Sequence, residues 1–240
     1  CVAVARAHLP AEDKLAGLPP NWVPRLADLA DALLVEADGA RGRSFKAPAD
    51  YEPVIPEAAT CVVAVAGLDA LGQRLDSPLV HRPERVAALV QDSWITADTV
   101  ARALGHPQGG LKGVPKGARF VALLNKAETP SLLQAGREIA QALLEAPRVE
   151  AVLLGAVAGE DPVSERWERT AAVVLAAGGS ARFGSPKQLL PFGEGTLLGR
   201  VLDSVLAAPL EPVVLVLGAQ AEAIAAALPP ETLRRVRLVH

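Results

Sequence analysis

The chain has 240 residues, of which 50% are hydrophobic and only 3% aromatic, and its formal net charge is −3. That charge gives no basic footprint for nucleic acid, and no apolar run reaches the roughly 18 residues of a membrane span. The two cysteines, Cys1 and Cys61, form neither a metal-binding pattern nor a disulfide framework. With no visible signal peptide, we expect a cytoplasmic protein that binds neither nucleic acid nor membrane.

The sequence contains no methionine, so Cys1 is not an initiator residue. We therefore expect the chain to begin inside a longer protein and, because its last predicted strand simply stops, to be cut at the C-terminus as well. A core of alanine, valine and leucine is typical of helices packed on parallel strands.

Apolar strands alternate with helices along the first part of the chain. The predicted strands are 2–5, 32–35, 61–66, 120–124 and 149–157, and the predicted helices are 21–30, 83–91, 97–104 and 132–144. This alternation predicts an α/β fold with a mainly parallel, doubly wound sheet.

A polar segment, 159–169, interrupts the pattern and is predicted to be a linker between a first domain, 1–158, and a second, 170–240. In the second domain we predict strands 171–177, 213–217 and 236–239 and helices 196–207 and 219–228. They make the βαβαβ start of a Rossmann-like unit that is shorter than a usual α/β domain.

Two carboxylates, Glu36 and Asp38, directly follow the predicted strand 32–35. The carboxyl ends of such strands are where open α/β sheets bind ligands. An acidic residue at this place can hold Mg²⁺ opposite phosphates, as in a Walker B element. Capping of the next turn by the same side chains explains them equally well.

The predicted strand 120–124 ends in the sequence NKAE, which is Asn125, Lys126, Ala127 and Glu128. This resembles the NKxD motif with which GTPases read guanine. Glu128 stands where aspartate is usual and is one methylene longer, so guanine selectivity is not implied.

Four segments extend this resemblance: KLAGLPPNWV, VEADGARGRSFKAPADYEPVIP, AGLDALG and LLNKAE. In this order they resemble the selenium-dependent hydroxylase accessory family of the YqeC type, over residues 14–157. The resemblance implies a P-loop NTPase-like domain, in some proteins fused to a molybdenum-cofactor transferase. It also implies a possible first-domain site at Glu36, Asp38, Asn125, Lys126 and Glu128. No phosphate loop precedes Val2, so we expect the chain as given to lack NTPase activity.

Three basic residues, Arg41, Arg43 and Lys46, lie in the Pro- and Gly-rich loop that follows Asp38. Their charge suits an anionic cofactor such as a pterin phosphate. A solvated loop explains them equally well.

A glycine-rich stretch follows the predicted strand 171–177. Gly178 and Gly179 allow close approach of a ligand to the main chain, and backbone N–H groups there form an anion cradle. Arg182 and Lys187 add positive charge to the same place. The spacing is neither GxxxxGK[ST] nor GxGxxG, but the pattern still indicates a polyphosphate site.

The same stretch, LAAGGSARFGSPK followed by QLLP and TLL, resembles the signature of the molybdenum-cofactor nucleotidyltransferases of the MobA type. The resemblance implies that Arg182 and Lys187 are catalytic and neutralise the triphosphate of an NTP. It also implies that the nucleotide-binding residues are Leu175, Ala176, Ala177, Gly178, Gly179, Ser180, Gly184 and Gly218. The metal-binding aspartates of this fold are expected beyond His240, so no metal ligand is assigned within the chain.

From these resemblances we expect nucleotide transfer from an NTP, CTP rather than GTP, with Mg²⁺, to molybdopterin, coupled to maturation of a molybdenum hydroxylase as client partner. One alternative is a sugar-phosphate nucleotidyltransferase, whose loop is usually closer to GxGTRLxPLT. Another is a non-catalytic chaperone that inserts the cofactor into its client.

Overall fold

A computed structural model of the chain describes residues 2–10, 14–179, 186–208 and 210–240. The chain divides into two compact units, Cys1–Glu168 and Arg169–His240. None of the helices in the described ranges is long and apolar enough to cross a membrane.

The first unit contains eight of the described strands and four of the described α-helices. The strands are β1 (Ala7–Leu9), β2 (Lys14–Ala16), β3 (Phe45–Lys46), β4 (Cys61–Gly67), β5 (Val80–His81), β6 (Arg119–Asn125), β7 (Ala151–Leu154) and β8 (Glu165–Glu168). The helices are α1 (Val23–Ala27), α2 (Pro83–Val90), α3 (Ala97–Gly105) and α4 (Pro130–Leu144).

The main sheet of the first unit has the order β4-β6-β7-β8. Its first three strands are parallel, and β8 is antiparallel to β7. The register pairs Gly67 with Asn125, so these residues lie side by side at the carboxyl ends of β4 and β6. A separate parallel pair joins β3 to β5.

Helix α4 shows how the sequence builds the core of this unit. Thr129 caps its start by accepting a hydrogen bond from the Leu132 N–H at 3.3 Å, and Pro130 fits the first turn, where no intrahelical N–H donor is needed. Ile139 and Leu143, one helical turn apart, are fully buried. Gly136 on the same face allows close packing, because a Cβ there would stand 2.8 Å from the Leu154 side chain.

The second unit contains a three-stranded parallel sheet with the order β13-β12-β9, and a short hairpin of β10 and β11. Its elements are β9 (Thr170–Ala176), β10 (Pro191–Phe192), β11 (Gly195–Thr196), α5 (Leu197–Ala207), β12 (Leu210–Leu217), α6 (Ala221–Ala226), α7 (Pro230–Arg235) and β13 (Val236–Val239). Leu202, Leu215, Leu217 and Ile224 form the fully buried part of its core.

The prediction of a mixed α/β protein with mainly parallel sheets is confirmed, whereas the doubly wound, P-loop-like layout stays a prediction. Most predicted elements appear within a few residues of their expected bounds. The predicted strand 2–5 is wrong: those residues form no strand, and the first described strand is Ala7–Leu9.

The predicted strand 32–35 is also wrong. This segment pairs with no described strand, and Leu34 is 95% exposed. An apolar run forms a strand only when its backbone N–H and C=O groups pair with those of a neighbouring strand, and no such pairing is found for 32–35 among the described strands. Glu36 and Asp38 therefore follow an exposed segment without regular secondary structure rather than a buried strand.

The predicted linker 159–169 contains strand β8, which extends the main sheet of the first unit. Trp167 explains this difference: its ring packs against the core, and its indole N–H donates to Glu165 at 2.9 Å. The alternating pattern of Glu165–Glu168 thus has one apolar member that secures the strand. The two compact units meet in sequence between Glu168 and Arg169.

Candidate functional site

The second unit has a tightly packed main chain where two of its parallel strands end. Strands β9 and β12 are paired so that Ala176 lies beside Leu217. One residue further, a Cβ on Gly218 would stand 2.5 Å from the carbonyl oxygen of Ala177. Only glycine fits there without a shift of the main chain.

Lys187 reaches this edge from the 3₁₀ turn Lys187–Leu189. A Cβ on Gly178 would stand 3.8 Å from Lys187 Cε and 3.9 Å from Lys187 Nζ. The ammonium group therefore lies against the glycine turn at the carboxyl end of β9. A cation next to exposed main chain is the arrangement that an anionic ligand needs.

The neighbouring Gln188 contacts the same turn from inside the unit. Its side chain is only 5% exposed. Its Nε2 group donates to the carbonyl oxygen of Ala176 at 2.6 Å and to that of Gly178 at 3.0 Å. Gln188 was not predicted as a site residue, although it is the first residue of the QLLP segment of the quoted signature.

The structure brings together six of the residues predicted for this site: Ala176, Ala177, Gly178, Gly179, Lys187 and Gly218. Leu175 is 79% exposed, because alternation along β9 directs it to the face opposite the buried Ala176. Ser180, Arg182 and Gly184 lie outside the described residues. Beside the edge is an open pocket of about 720 Å³ that is lined by Pro186, residues 219–223 and His240.

In the first unit, Lys126 lies at the carboxyl end of the main sheet. Its Nζ donates to Ser44 Oγ at 2.8 Å and to Asp69 Oδ2 at 2.7 Å, and Ser44 Oγ donates to Asp69 Oδ2 at 2.9 Å. Burial alone would raise the pKa of Asp69, but the bonds from Lys126 and Ser44 hold that pKa below its ordinary value. Ser44 and Asp69 were not predicted as site residues, although they lie in the quoted segments VEADGARGRSFKAPADYEPVIP and AGLDALG.

The other predicted residues of this edge have different surroundings. Asn125 Oδ1 accepts hydrogen bonds from the main-chain N–H of Lys126 at 2.8 Å and of Val157 at 3.0 Å, so it fastens two loops. Glu128 and Glu36 are exposed. Asn125 and Lys126 thus lie at one edge, and among the described residues neither side chain forms a hydrogen bond or ion pair with Glu36, Asp38 or Glu128.

Asp38 belongs to a second group of paired charges. Lys46 Nζ bonds to Asp38, to the carbonyl oxygen of Gly39 at 2.9 Å and to Glu52 at 3.3 Å. Arg82 in turn donates to Glu52 Oε1 at 2.9 Å. The bond from Arg82 lowers the pKa of Glu52 to about 2, while burial raises the pKa of Asp38 above its ordinary value despite the contact with Lys46.

The basic residues predicted to bind an anion are partly engaged within the chain. Arg43 donates to the carbonyl oxygen of Val80 at 2.6 Å, and Lys46 is held by two carboxylates. Arg41 is exposed, with its main chain in the left-handed region at φ 52°. Burial, together with the charge of Arg82, lowers the pKa of His81, which is 7% exposed beside this group.

Two family models match different parts of the chain. The YqeC protein model matches residues 1–84, and the MobA-like NTP transferase domain model matches residues 172–238. The chain joins a YqeC-like part to a MobA-like part. The glycine turn, Lys187 and Gly218 lie in the MobA-like part, and Asp38, Ser44 and Lys46 lie in the YqeC-like part.

The chain is 33% identical over 161 residues to "Uncharacterized protein YqeC" of Escherichia coli strain K12, a match that covers 65% of this chain and 62% of that relative. It is 42% identical to Rv0371c from Mycobacterium tuberculosis H37Rv, with a TM-score of 0.28, over 30% of this chain and 36% of that one. It is 38% identical to the Rv0371c homolog from Mycobacterium sp. strain JC1, with a TM-score of 0.27, over 30% and 34%. The chain thus spans about three fifths of the length of the first relative and about a third of each of the two structures.

Proposed function

We propose that the MobA-like part binds a nucleoside triphosphate at the glycine turn and transfers its nucleotide to the phosphate of a pterin cofactor, molybdopterin. CTP is the proposed donor rather than GTP. The YqeC-like part is proposed to couple this step to maturation of a molybdenum hydroxylase. The observation that carries the proposal is the position of the Lys187 ammonium group against Gly178, where two parallel strands end.

The reaction is an in-line displacement. A phosphate oxygen of the acceptor forms a bond to the α-phosphorus of the NTP, the bond from that phosphorus to the bridging oxygen breaks, and pyrophosphate leaves. In this proposal Lys187 neutralises charge on the triphosphate, and the phosphates approach the exposed main chain at 177–179. Fixed charges and positioning of this kind account for much of enzymatic phosphoryl-type transfer.

Magnesium is proposed to enter with the nucleotide as part of the substrate. Among the described residues, no three histidine, cysteine, aspartate or glutamate side chains lie close enough to hold a metal ion. No step is therefore assigned to a resident metal. Among the described residues near the turn, the Lys187 ammonium group is the charged group, and its positive charge suits an anion.

The test compares Lys187→Ala with Lys116→Ala, a control that removes an exposed lysine from the other unit. In the intact protein with CTP and molybdopterin, we expect Lys187→Ala to lower kcat/KM for pyrophosphate release by about 100-fold or more, since one fixed charge on the transition state is lost. Lys116→Ala should behave like wild type. Equal rates for all three proteins would refute the proposal.

Further measurements on the same proteins separate the two alternatives. Stabilisation of the intact protein by a sugar phosphate and not by a pterin would identify a sugar nucleotidyltransferase. Full activation of a client hydroxylase by Lys187→Ala would identify a non-catalytic chaperone. Binding of GTP in preference to CTP would leave the reaction class in place and overturn the choice of nucleotide.

A further inference from the structure

We infer that Gln188 is a positioning residue, which fixes the glycine turn in the shape that presents its main-chain amide to the phosphates of the nucleotide. This inference rests on the proposed function and assigns to that site a residue that does not touch the substrate. Gln188 acts through the main chain of Ala176 and Gly178.

The position of Gln188 is itself well fixed. It lies in the 3₁₀ turn Lys187–Leu189, in which the Leu190 N–H donates to the carbonyl oxygen of Lys187 at 3.2 Å. The Leu197 N–H donates to the carbonyl oxygen of Leu190 at 2.9 Å, so the turn is tied to the start of α5. Thr196 caps that helix by accepting from the Gly199 N–H at 3.1 Å. The main chain that carries the Gln188 side chain is thus held in place by these hydrogen bonds.

The bond to Gly178 determines the direction of an N–H group. In a planar trans peptide, the carbonyl of one residue and the N–H of the next point in opposite directions. The carbonyl of Gly178 points inward, to Gln188. The N–H of Gly179 therefore points to the other side of the turn, the outward one, where it is available to an anion.

Lys187 and Gln188 contact the same turn in different ways, one with an exposed side chain and the other with a buried one. Lys187 is exposed and contributes charge beside Gly178, whereas Gln188 is buried and contributes two N–H donors to carbonyl groups. The two substitutions should accordingly respond differently to salt. Charge on an exposed lysine is screened by added salt, but a buried bond between neutral groups is not.

The experiment measures binding of CTP and GTP, with magnesium, to the intact protein by calorimetry. The variants are Gln188→Leu, which removes both donors at similar volume, Gln188→Glu, which keeps the shape, and Lys187→Ala. Gln188→Leu should weaken binding about tenfold or more at low and at high salt, because two hydrogen bonds that set the turn are lost. The loss caused by Lys187→Ala should shrink at high salt.

Gln188→Glu supplies a pH readout that a purely structural role would not give. A carboxyl group buried against two carbonyl oxygens has a raised pKa, and its protonated form can again donate one hydrogen bond. Relative to wild type, Gln188→Glu should bind nucleotide weakly at about pH 8 and regain part of its affinity at about pH 5.5, whereas Gln188→Leu should not. If Gln188→Leu does not fold, the comparison of Gln188→Glu with wild type at the two pH values is sufficient.

Each outcome decides one point. If wild type binds no NTP, the proposed function fails, and this inference fails with it. If wild type binds an NTP and Lys187→Ala weakens binding, but both Gln188 variants bind as wild type does, only the inference is overturned. Lower thermal stability of the Gln188 variants with unchanged nucleotide affinity also overturns it.

Discussion

The residues at the carboxyl ends of the parallel strands differ in kind between the two units. At the edge of β4 and β6, charged side chains pair with one another: Lys126 with Asp69, and nearby Lys46 with Asp38 and Glu52. At the edge of β9 and β12, small residues let the main chains approach closely, and a buried amide binds two carbonyl groups.

This difference separates an edge formed by paired charges from an edge formed by closely packed main chain. An anion arriving at Lys46 or Lys126 must compete with carboxylates already within hydrogen-bond distance. At the glycine turn, Lys187 stands beside exposed main chain. The paired charges of the first unit hold its own loops together, whereas the edge of the second unit is the one proposed above to bind a triphosphate.

The largest expected effect comes from Gly218→Ala. Its Cβ would stand 2.5 Å from the carbonyl oxygen of Ala177, so β9 and β12 must move apart. We expect a loss of about 2–3 kcal/mol in the stability of the second unit, the range for overpacking at a rigid place. Hydrogen exchange of the β9 and β12 amides measures it. The matched control is Gly195→Ala, where nothing lies within 4 Å of the added Cβ. Equal protection in both variants would show that the strand ends are not in close contact.

The next largest effect on stability is expected for Glu52→Gln, at the charged edge of the first unit. Glu52 is 16% exposed, and it bonds to Arg82 and Lys46. Glu52→Gln leaves two cations without that carboxylate, so we expect a loss of about 2 kcal/mol at neutral pH. All three tryptophans, at positions 22, 94 and 167, lie in the first unit, so tryptophan fluorescence reports its unfolding. The control, Asp76→Asn, removes an exposed ion pair with Arg74 and should change stability by less than about 0.5 kcal/mol.

The same substitution tests a pH dependence. The pKa of Glu52 is about 2 in the folded chain, against an ordinary 4.5. A folded pKa below the unfolded one stabilises the fold above pH 4.5, and this stabilisation is lost as the pH falls from 4.5 towards 2. Glu52→Gln should therefore lose less stability than wild type over that range. An identical acid titration of both proteins would show that the Arg82 contact does not hold Glu52 ionised.

A smaller effect is expected for Lys126→Met. Lys126 and Asp69 are 41% and 34% exposed, so their pair should contribute about 1 kcal/mol or less. One oxygen of Asp69, Oδ1, is buried without a hydrogen-bond partner in the part of the chain that the structure describes, so Asp69 depends on Lys126 and Ser44 for its stabilisation. The double-mutant cycle with Asp69→Asn should show coupling of up to about 1 kcal/mol, and strict additivity would contradict the pairing.

Sequence periodicity predicted a helix or strand well where the residues of that element themselves carry the pattern. Helix α4 has buried residues at helical spacing; it was predicted as 132–144 and begins two residues earlier, at Pro130, directly after its threonine cap. The segment 32–35 lacked such evidence, because an apolar run becomes a strand only if another strand pairs with it. The segment 159–169 is the opposite case. It was predicted to be a linker because it is polar, but Trp167 packs against the core and the segment contains β8.

The candidate site was predictable only to the level of the motif. The glycines and Lys187 could be named from their spacing, because that pattern is tied to one local geometry. Gln188, Ser44 and Asp69 lie within the quoted motif segments, but their roles could not be named, because their partners are carbonyl groups or side chains that the fold brings from elsewhere. Residues that act through long-range hydrogen bonds leave no periodic trace in a single sequence.

The smallest effect on stability, and the sharpest test of the comparison, belongs to Gly179→Ala. Among the described residues, nothing lies within 4 Å of the added Cβ, and its φ is outside the left-handed region, so we expect a stability change within about 0.5 kcal/mol. The methyl group would nevertheless occupy the turn over which a triphosphate must pass, and it should weaken NTP binding about tenfold by keeping the phosphates from the main chain. Gly195→Ala is the control for the loss of a glycine, and calorimetry with CTP is the measurement. If Gly179→Ala binds CTP as tightly as wild type while Lys187→Ala does not, the triphosphate contacts the lysine alone and the main-chain cradle is excluded.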